Sequence, residues 1–155
     1  MPTPSRLSPE MEALLISACL LGVNCKYSGG SNALPEELLE ALRKKYRLLP
    51  VCPEVAGGLP VPRLPAERRG ERVVNRSGED VTARYRSGAR CALAIAEKQG
   101  CRTALLKERS PSCGSGEIYD GSFTAALVPG WGTAAEELRC AGIKVLGESR
   151  ISELI

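Results

Sequence analysis

The sequence predicts an α/β fold: one Rossmann-like domain of three layers with a mostly parallel sheet. Apolar runs of strand length alternate with longer amphipathic segments, which is the order of β-α-β units. Hydrophobic residues make up 43% of the 155 residues, but aromatic residues only 4%. A core of Leu, Val, Ile and Ala suits helices packed on a sheet. The length fits one domain, and we expect residues 1–12 to be an N-terminal extension and residues 13–155 to form the domain.

The first half of the chain predicts two strands and a helix. The run Leu14–Leu21 is too short for a helix and is followed by a glycine, so we expect a buried strand. Pro35–Tyr46 is expected to be a helix with its proline at the first helical position. The second strand, Leu48–Cys52, is expected to stop at the proline that follows.

The second half begins with an irregular stretch, residues 57–78, which contains three prolines. A loop of this length is often functional, and a short hairpin is expected around Arg72–Asn75. A helix capped by Asp80 is expected to run to Gln99, before a strand over Thr103–Lys107.

The end of the chain predicts one more helix and strand. Thr133 and Glu136 have the spacing of a capping box, so we expect them to begin a helix that ends at Gly142. The final strand is expected over Lys144–Leu146.

Composition excludes several classes of protein. The chain has no histidine, which excludes Ser-His-Asp and Cys-His catalysis and histidine-bound metals. Its net charge of +3 is small and dispersed, so no nucleic-acid partner is expected. No apolar run approaches the ~20 residues of a membrane span, and the first residues lack the apolar core of a signal peptide. We expect a cytoplasmic protein with no membrane partner, and both a monomer and a homodimer remain open.

A basic cluster interrupts the irregular stretch. It contains Arg63, Arg68, Arg69, Arg72 and Arg76, with Glu67 and Glu71 between them. The cluster is typical of a solvated loop. It is also compatible with a rim that attracts an anionic substrate.

Three of the seven cysteines are expected to converge. The odd number and a reducing compartment disfavour a disulfide framework. Cys19, Cys52 and Cys113 lie near or after the carboxyl ends of three predicted strands, which meet at one edge of a parallel sheet. Cys25 is on the same side, either as a spare ligand or as part of the wall. The other cysteines are interpreted as structural: Cys91, Cys101 and Cys140.

Structural zinc prefers four ligands, often in C-x-x-C pairs, and this chain has no such pair. The wide spacing of the cysteines indicates an iron–sulfur cluster only in combination with the motifs around them. Three thiolates can hold a 4Fe–4S cluster and leave one iron open. The loop from Ser110 to Gly116 offers hydroxyls and amides for an anion or polarised carbonyl, and Glu54 could relay a proton. Ordinary turn and loop roles account for the same residues equally well.

Four motifs, in this order, resemble those of the thiouracil desulfidase (TudS) family. They are Ser17–Gly22 (SACLLG), Cys52–Arg63 (CPEVAGGLPVPR), Lys107–Gly114 (KERSPSCG) and Ile118–Phe123 (IYDGSF). The resemblance extends from about Leu14 to Glu148.

The resemblance implies that Cys19, Cys52 and Cys113 hold a [4Fe-4S] cluster whose fourth iron is open. It implies removal of sulfur from a thiolated pyrimidine such as thiouracil, giving uracil and sulfide without net redox change. An exposed cluster of this kind is easily lost in air, so an aerobically prepared sample is expected to lack it.

Within this framework we assign hypothetical roles to seven further residues. The residues expected to transfer protons and orient the substrate are Ser110, Ser112 and Glu54. The residues expected to bind substrate are Tyr27, Arg63, Lys107 and Gly114.

Three other functions stay open at this stage. The chain could be a non-catalytic iron–sulfur or zinc protein, such as a redox sensor or sulfide carrier. It could desulfurise thiolated nucleotides or tRNA, although the sequence supplies no continuous basic surface. It could also be a nucleotide-binding domain with an empty thiol cluster.

Overall fold

A computed structural model describes residues 11–155 as an α/β domain. In chain order, its elements are β1 (Glu12–Ser17), α1 (Glu36–Lys45), β2 (Tyr46–Val51), α2 (Pro53–Ala56), β3 (Ala66–Arg69), β4 (Arg72–Asn75), α3 (Thr82–Gln99), β5 (Thr103–Leu106), β6 (Glu117–Tyr119), β7 (Leu127–Pro129), α4 (Thr133–Cys140) and β8 (Lys144–Gly147). Two 3-10 turns cover Ala18–Leu21 and Glu148–Glu153. The expected N-terminal extension lies almost entirely outside the described residues.

The central sheet has four strands in the order β2-β1-β5-β8. All three pairings are parallel, which confirms the predicted fold class. The chain moves outward from β1 to β2 on one side and then crosses to β5 on the other. This change of direction creates a crevice beside the carboxyl ends of β1 and β5, where α/β proteins bind ligands.

Helices cover both faces of the sheet, as a three-layer fold requires. Side chains alternate along β1: Leu14 and Ile16 pack with α1, whereas Ala13 and Leu15 pack with α3 and α4. The α3 and α4 face uses mostly alanines. Within residues 11–155, no helix is long and apolar enough to cross a lipid bilayer.

The first strand is shorter than predicted. It ends at Ser17, and the apolar run continues as the 3-10 turn that contains Cys19. The prediction failed because Leu20 is buried in the core like a strand residue, and an apolar run does not distinguish strand from tight turn. The second strand starts at Tyr46, directly after α1, and ends at Val51.

The two predicted helix starts need correction. Asp80 accepts the Thr82 N–H at 2.9 Å, but Val81 occupies the N-cap position of α3. The predicted capping box is wrong, because Thr133 lies inside α4 and its buried hydroxyl has no partner among the described residues. The first N–H groups of α4 instead donate to carbonyls of the loop that carries Cys113. The helix ends at Cys140, two residues before the expected Gly142.

Two antiparallel hairpins complete the structure. The predicted hairpin exists as β3–β4, whereas β6–β7 was not predicted. Neither interpretation of the basic cluster fits Arg68, which is 7% exposed and pairs with Glu136 at 2.7 Å. Its guanidinium also donates to the Trp131 carbonyl at 2.6 Å. Arg68 therefore attaches the β3–β4 hairpin to α4.

Candidate active site

A cavity of about 560 Å³ lies at the carboxyl edge of the central sheet. Its walls come from the segments that follow β1, β2 and β5, together with the two hairpins. Nine of the ten predicted site residues line it: Cys19, Tyr27, Cys52, Glu54, Arg63, Lys107, Ser110, Ser112 and Cys113. Gly114 is the exception. The topology thus brings together residues that are almost a hundred positions apart.

Each of the three predicted ligands follows a different strand of the sheet. Cys19 lies in the 3-10 turn after β1, Cys52 directly follows β2, and Cys113 lies in the turn after β5. Cys25 lines the same cavity and is buried. Its carbonyl oxygen is 3.8 Å from the Cys52 sulfur. The structure thus places four thiols in one cavity.

Polar side chains donate hydrogen bonds to two of these sulfurs. The Asn32 amide donates to Cys19 Sγ at 3.5 Å, and the Ser17 hydroxyl donates to Cys113 Sγ at 3.3 Å. Ser17 Oγ also accepts a hydrogen bond from the backbone N–H of Lys107 at 2.9 Å. The hydroxyl therefore accepts from Lys107 and donates its own hydrogen to the Cys113 sulfur. Such donors stabilise negative charge on a thiolate.

Burial raises the pKa of three of these four thiols and keeps those three protonated in the absence of a cation. Desolvation raises the pKa of Cys113 to about 12 and that of Cys25 to about 12. The pKa of Cys19 is also raised, mainly by burial, with the Asn32 hydrogen bond opposing the rise. A cationic group that binds these thiolates must therefore displace their protons.

The arrangement suits a multi-iron cluster better than a single ion. Among residues 11–155, no three Cys, Asp or Glu side chains are close enough to bind one metal ion together. The thiolates of an iron–sulfur cluster bind different irons, so they need not reach a common atom. Three thiols spread around one cavity, two of them with hydrogen-bond donors, fit this requirement.

A chain of hydroxyls leads from the Cys113 loop to a carboxylate. Ser112 Oγ donates to Glu54 Oε2 at 3.0 Å and lies 3.0 Å from Ser110 Oγ. Ser110 Oγ accepts the N–H groups of Ser112 and Cys113, each at 3.1 Å. Because Ser112 directs its own proton to Glu54, Ser110 must donate to Ser112. The three side chains form a directed proton path beside Cys113.

The predicted substrate-binding residues occupy different environments. Tyr27 is 46% exposed at the mouth of the cavity. Lys107 Nζ contacts Glu148 Oε2 at 2.8 Å and donates to the Glu108 carbonyl. The Arg63 side chain is only 7% exposed, and each of its three guanidinium nitrogens contacts a protein oxygen.

Gly114 does not line the cavity, and its backbone instead closes the loop that carries Cys113. A Cβ atom at this position would lie 2.8 Å from the Ser110 carbonyl oxygen. The loop closes there through the Gly114 N–H, which donates to that oxygen at 2.8 Å. Glycine at position 114 therefore allows the tight turn that presents Cys113.

Sequence reasoning missed Ser17, Asn32 and Tyr85. Ser17 stands two residues before Cys19 in the first motif, which could have indicated a role for its hydroxyl. Tyr85 lies on α3 and is 2% exposed. Burial, followed by the charge of Glu54, raises the pKa of Tyr85 well above its usual range, so it is a neutral hydroxyl beside that carboxylate. Its position in a helix gave no sequence signal.

Comparisons with known proteins agree with this geometry. A family profile described as 2-thiouracil desulfurase matches residues 14–150. An uncharacterized Bacillus subtilis (strain 168) protein, YbbK, is 38% identical over 152 residues, which cover 92% of this chain and 99% of that protein. A solved structure described as the [4Fe-4S]-dependent thiouracil desulfidase TudS is 51% identical, with a TM-score of 0.88, and the match covers 92% of this chain and 95% of that one. The chain described here belongs to the 2-thiouracil desulfurase family.

Proposed function

We propose that this protein is a [4Fe-4S]-dependent desulfidase that hydrolyses the C=S bond of a thiolated pyrimidine such as thiouracil. One water replaces the sulfur, so the products are the oxygenated pyrimidine and hydrogen sulfide, with no change of redox state. The observation that carries the proposal is the convergence of three cysteines on one cavity beside the proton path from Ser110 to Glu54.

Cys19, Cys52 and Cys113 are the residues that would hold the cluster. They come from three different strand ends, so each can bind a separate iron. When bound, the cluster supplies an iron that no protein residue ligates, a Lewis acid for a sulfur ligand. Cys25 then forms part of the wall.

Glu54, Ser112 and Ser110 would handle the protons of the reaction. The attacking water must lose a proton, and the departing sulfur must gain one. Glu54 already accepts a hydrogen bond from Ser112, so a proton can pass from Ser110 through Ser112 to Glu54, and the reverse transfer follows when the hydroxyls rotate. A general base and acid of this kind accelerates a reaction by about 10²–10⁴-fold.

Tyr27 and Lys107 would contact the pyrimidine. The partly exposed ring of Tyr27 at the cavity mouth can stack on a planar base. Lys107 provides a cation in the wall, held by Glu148. The cavity size suits a small molecule, and the free thiols of this chain fit a reducing cytoplasm.

The test is anaerobic reconstitution with iron and sulfide, followed by the visible spectrum, iron content and sulfide release from 2-thiouracil and 4-thiouracil. The Cys19→Ala, Cys52→Ala and Cys113→Ala variants should each lose the broad band near ~400 nm and sulfide release. The exposed Cys91→Ala variant should keep both. If one of these three variants kept the band, the cysteine replaced in it would not be a cluster ligand. A fully loaded protein without turnover would favour a non-catalytic iron–sulfur protein.

A further inference from the structure

Arg63 is placed between the predicted proton path and the cysteine loops. Its Nε donates to Glu54 Oε1 at 2.9 Å, and its Nη2 lies 2.8 Å from the same oxygen. Nη2 also donates to the Cys25 carbonyl at 2.9 Å, and Nη1 donates to the Pro60 carbonyl at 3.1 Å. All three guanidinium nitrogens are therefore engaged with protein oxygens.

Both ends of this contact are largely shielded from solvent. The Arg63 and Glu54 side chains are 7% and 12% exposed, so solvent does little to weaken the pair. A guanidinium holds a carboxylate in a fixed orientation through its fork of donors. With one Glu54 oxygen held by Arg63, the other is directed to Ser112 at 3.0 Å.

Arg63 also connects segments that follow different strands. Its backbone N–H donates to the Tyr27 carbonyl at 2.8 Å, beside the side-chain contact to Cys25. The Cys25 carbonyl in turn contacts the Cys52 sulfur. One arginine thus joins the loop after β1 to the carboxylate that follows β2.

We infer that Arg63 is a positioning residue rather than a substrate-binding residue: it orients Glu54 toward Ser112 and fixes the Cys25 loop. This inference rests on the proposed function, because the proton path matters only if a desulfidation reaction uses it. It replaces the expectation from the sequence that Arg63 binds substrate. Each of its guanidinium nitrogens already contacts a protein oxygen and the side chain is only 7% exposed, which leaves little of the guanidinium for a pyrimidine.

The kinetic test compares Arg63→Met with Arg84→Met in the cluster-loaded enzyme. Arg84 is exposed and donates to the Gly58 carbonyl, which lies in the loop between Glu54 and Arg63. It does not line the cavity. For Arg63→Met we expect kcat to fall about 10²-fold, with KM within about threefold and iron content unchanged. Arg84→Met should keep kcat within about twofold. A rise in KM with unchanged kcat would show that Arg63 binds substrate and would overturn the inference.

A double-mutant cycle tests whether Arg63 acts through Glu54. Adding Arg63→Met to Glu54→Gln should lower kcat by less than about twofold, because Glu54 is then already inactive. Additive losses would overturn the inference. If Arg63→Met does not fold or load, Arg63→Lys serves instead, since a lysine can hold Glu54 or the Cys25 carbonyl but not both.

A crystal structure of each arginine variant gives a second result that does not depend on activity. Glu54 should leave hydrogen-bond distance of Ser112 in the Arg63→Met variant and stay there in the Arg84→Met variant. A Glu54 that keeps its place without Arg63 would refute the positioning role. If the loaded wild-type protein lacks desulfidase activity, the proposed function fails, while these structures still decide whether Arg63 positions Glu54.

Discussion

Ser112 joins the proposed proton path to the loop that carries Cys113. It is 2% exposed, it donates to Glu54 at 3.0 Å, and it stands beside Cys113 in the chain. Its side chain is also 3.6 Å from the Cys113 sulfur. If Cys113 holds the cluster as proposed, this hydroxyl, which lies between Glu54 and the Cys113 sulfur, would be placed to pass a proton to a substrate in the cavity.

Replacing Ser112 should therefore reduce turnover without removing the cluster. We expect Ser112→Ala to lower kcat by about 10²–10³-fold, because the proton path to Glu54 is broken. Visible absorption and sulfide release measure cluster content and turnover separately. Ser115→Ala, in the same loop but outside the cavity wall, is the matched control and should keep full turnover. A Ser112→Ala enzyme with wild-type kcat and a full cluster would remove Ser112 from the mechanism.

The position of the helix that follows Cys52 and contains Glu54 depends on two glycines. Helix α2 lies so close to α3 that a Cβ on Gly88 would be 1.7 Å from the Pro53 carbonyl oxygen. A Cβ on Gly57 would be 2.0 Å from the Arg84 carbonyl oxygen. The two backbones are therefore in contact, at the residue that directly follows Cys52. Glycine weakens a helix interior, but it permits this approach.

Gly88→Ala separates helix propensity from packing. Alanine favours a helix by about 1 kcal/mol over glycine, whereas its methyl group would displace α2. We expect the steric effect to dominate and lower the free energy of unfolding by about 1–3 kcal/mol. Urea unfolding of the cluster-free protein provides the measurement. Cys91→Ala, at an exposed position of the same helix, should change the free energy of unfolding by less than about 0.5 kcal/mol. A more stable Gly88→Ala protein would contradict the close packing.

The cavity joins segments that follow three strands of one sheet. Hydrogen bonds such as those from Ser17 to Cys113 and from Arg63 to the Cys25 carbonyl hold these segments together. A cluster bound by Cys19, Cys52 and Cys113 would cross-link the same segments in the folded state only. Ligands that bind only the folded state raise its stability.

Loading should accordingly raise the melting temperature. For a chain of 155 residues, we expect the reconstituted protein to melt about 5–10 °C above the chelator-treated protein. Cys52→Ala should abolish this difference, whereas Cys140→Ala, an exposed cysteine, should preserve it. Anaerobic calorimetry measures the melting temperatures of the reconstituted and the chelator-treated forms of each protein. Equal melting temperatures in the wild-type protein would show that the cluster does not connect the three segments.

Much of the fold could be predicted because its signals are local. Alternating apolar and amphipathic segments specify strands and helices, and right-handed β-α-β connections then place strand ends on one edge. The candidate ligands could be chosen for the same reason, since Cys19, Cys52 and Cys113 all lie near or after strand ends. The predicted extent of β1 was wrong because a buried leucine such as Leu20 gives the same sequence signal in a strand and in a tight turn.

The α/β class and the convergence of Cys19, Cys52 and Cys113 on one cavity could be predicted from local pattern and chain topology, and the family from four sequence motifs. The directions of individual side chains could not. The three-dimensional structure shows that Ser17 donates to Cys113, that Gly114 shapes a turn, and that Arg63 is bound to Glu54 rather than free. Hydrogen bonds between distant loops depend on ångström-scale placement, which no spacing along the chain encodes.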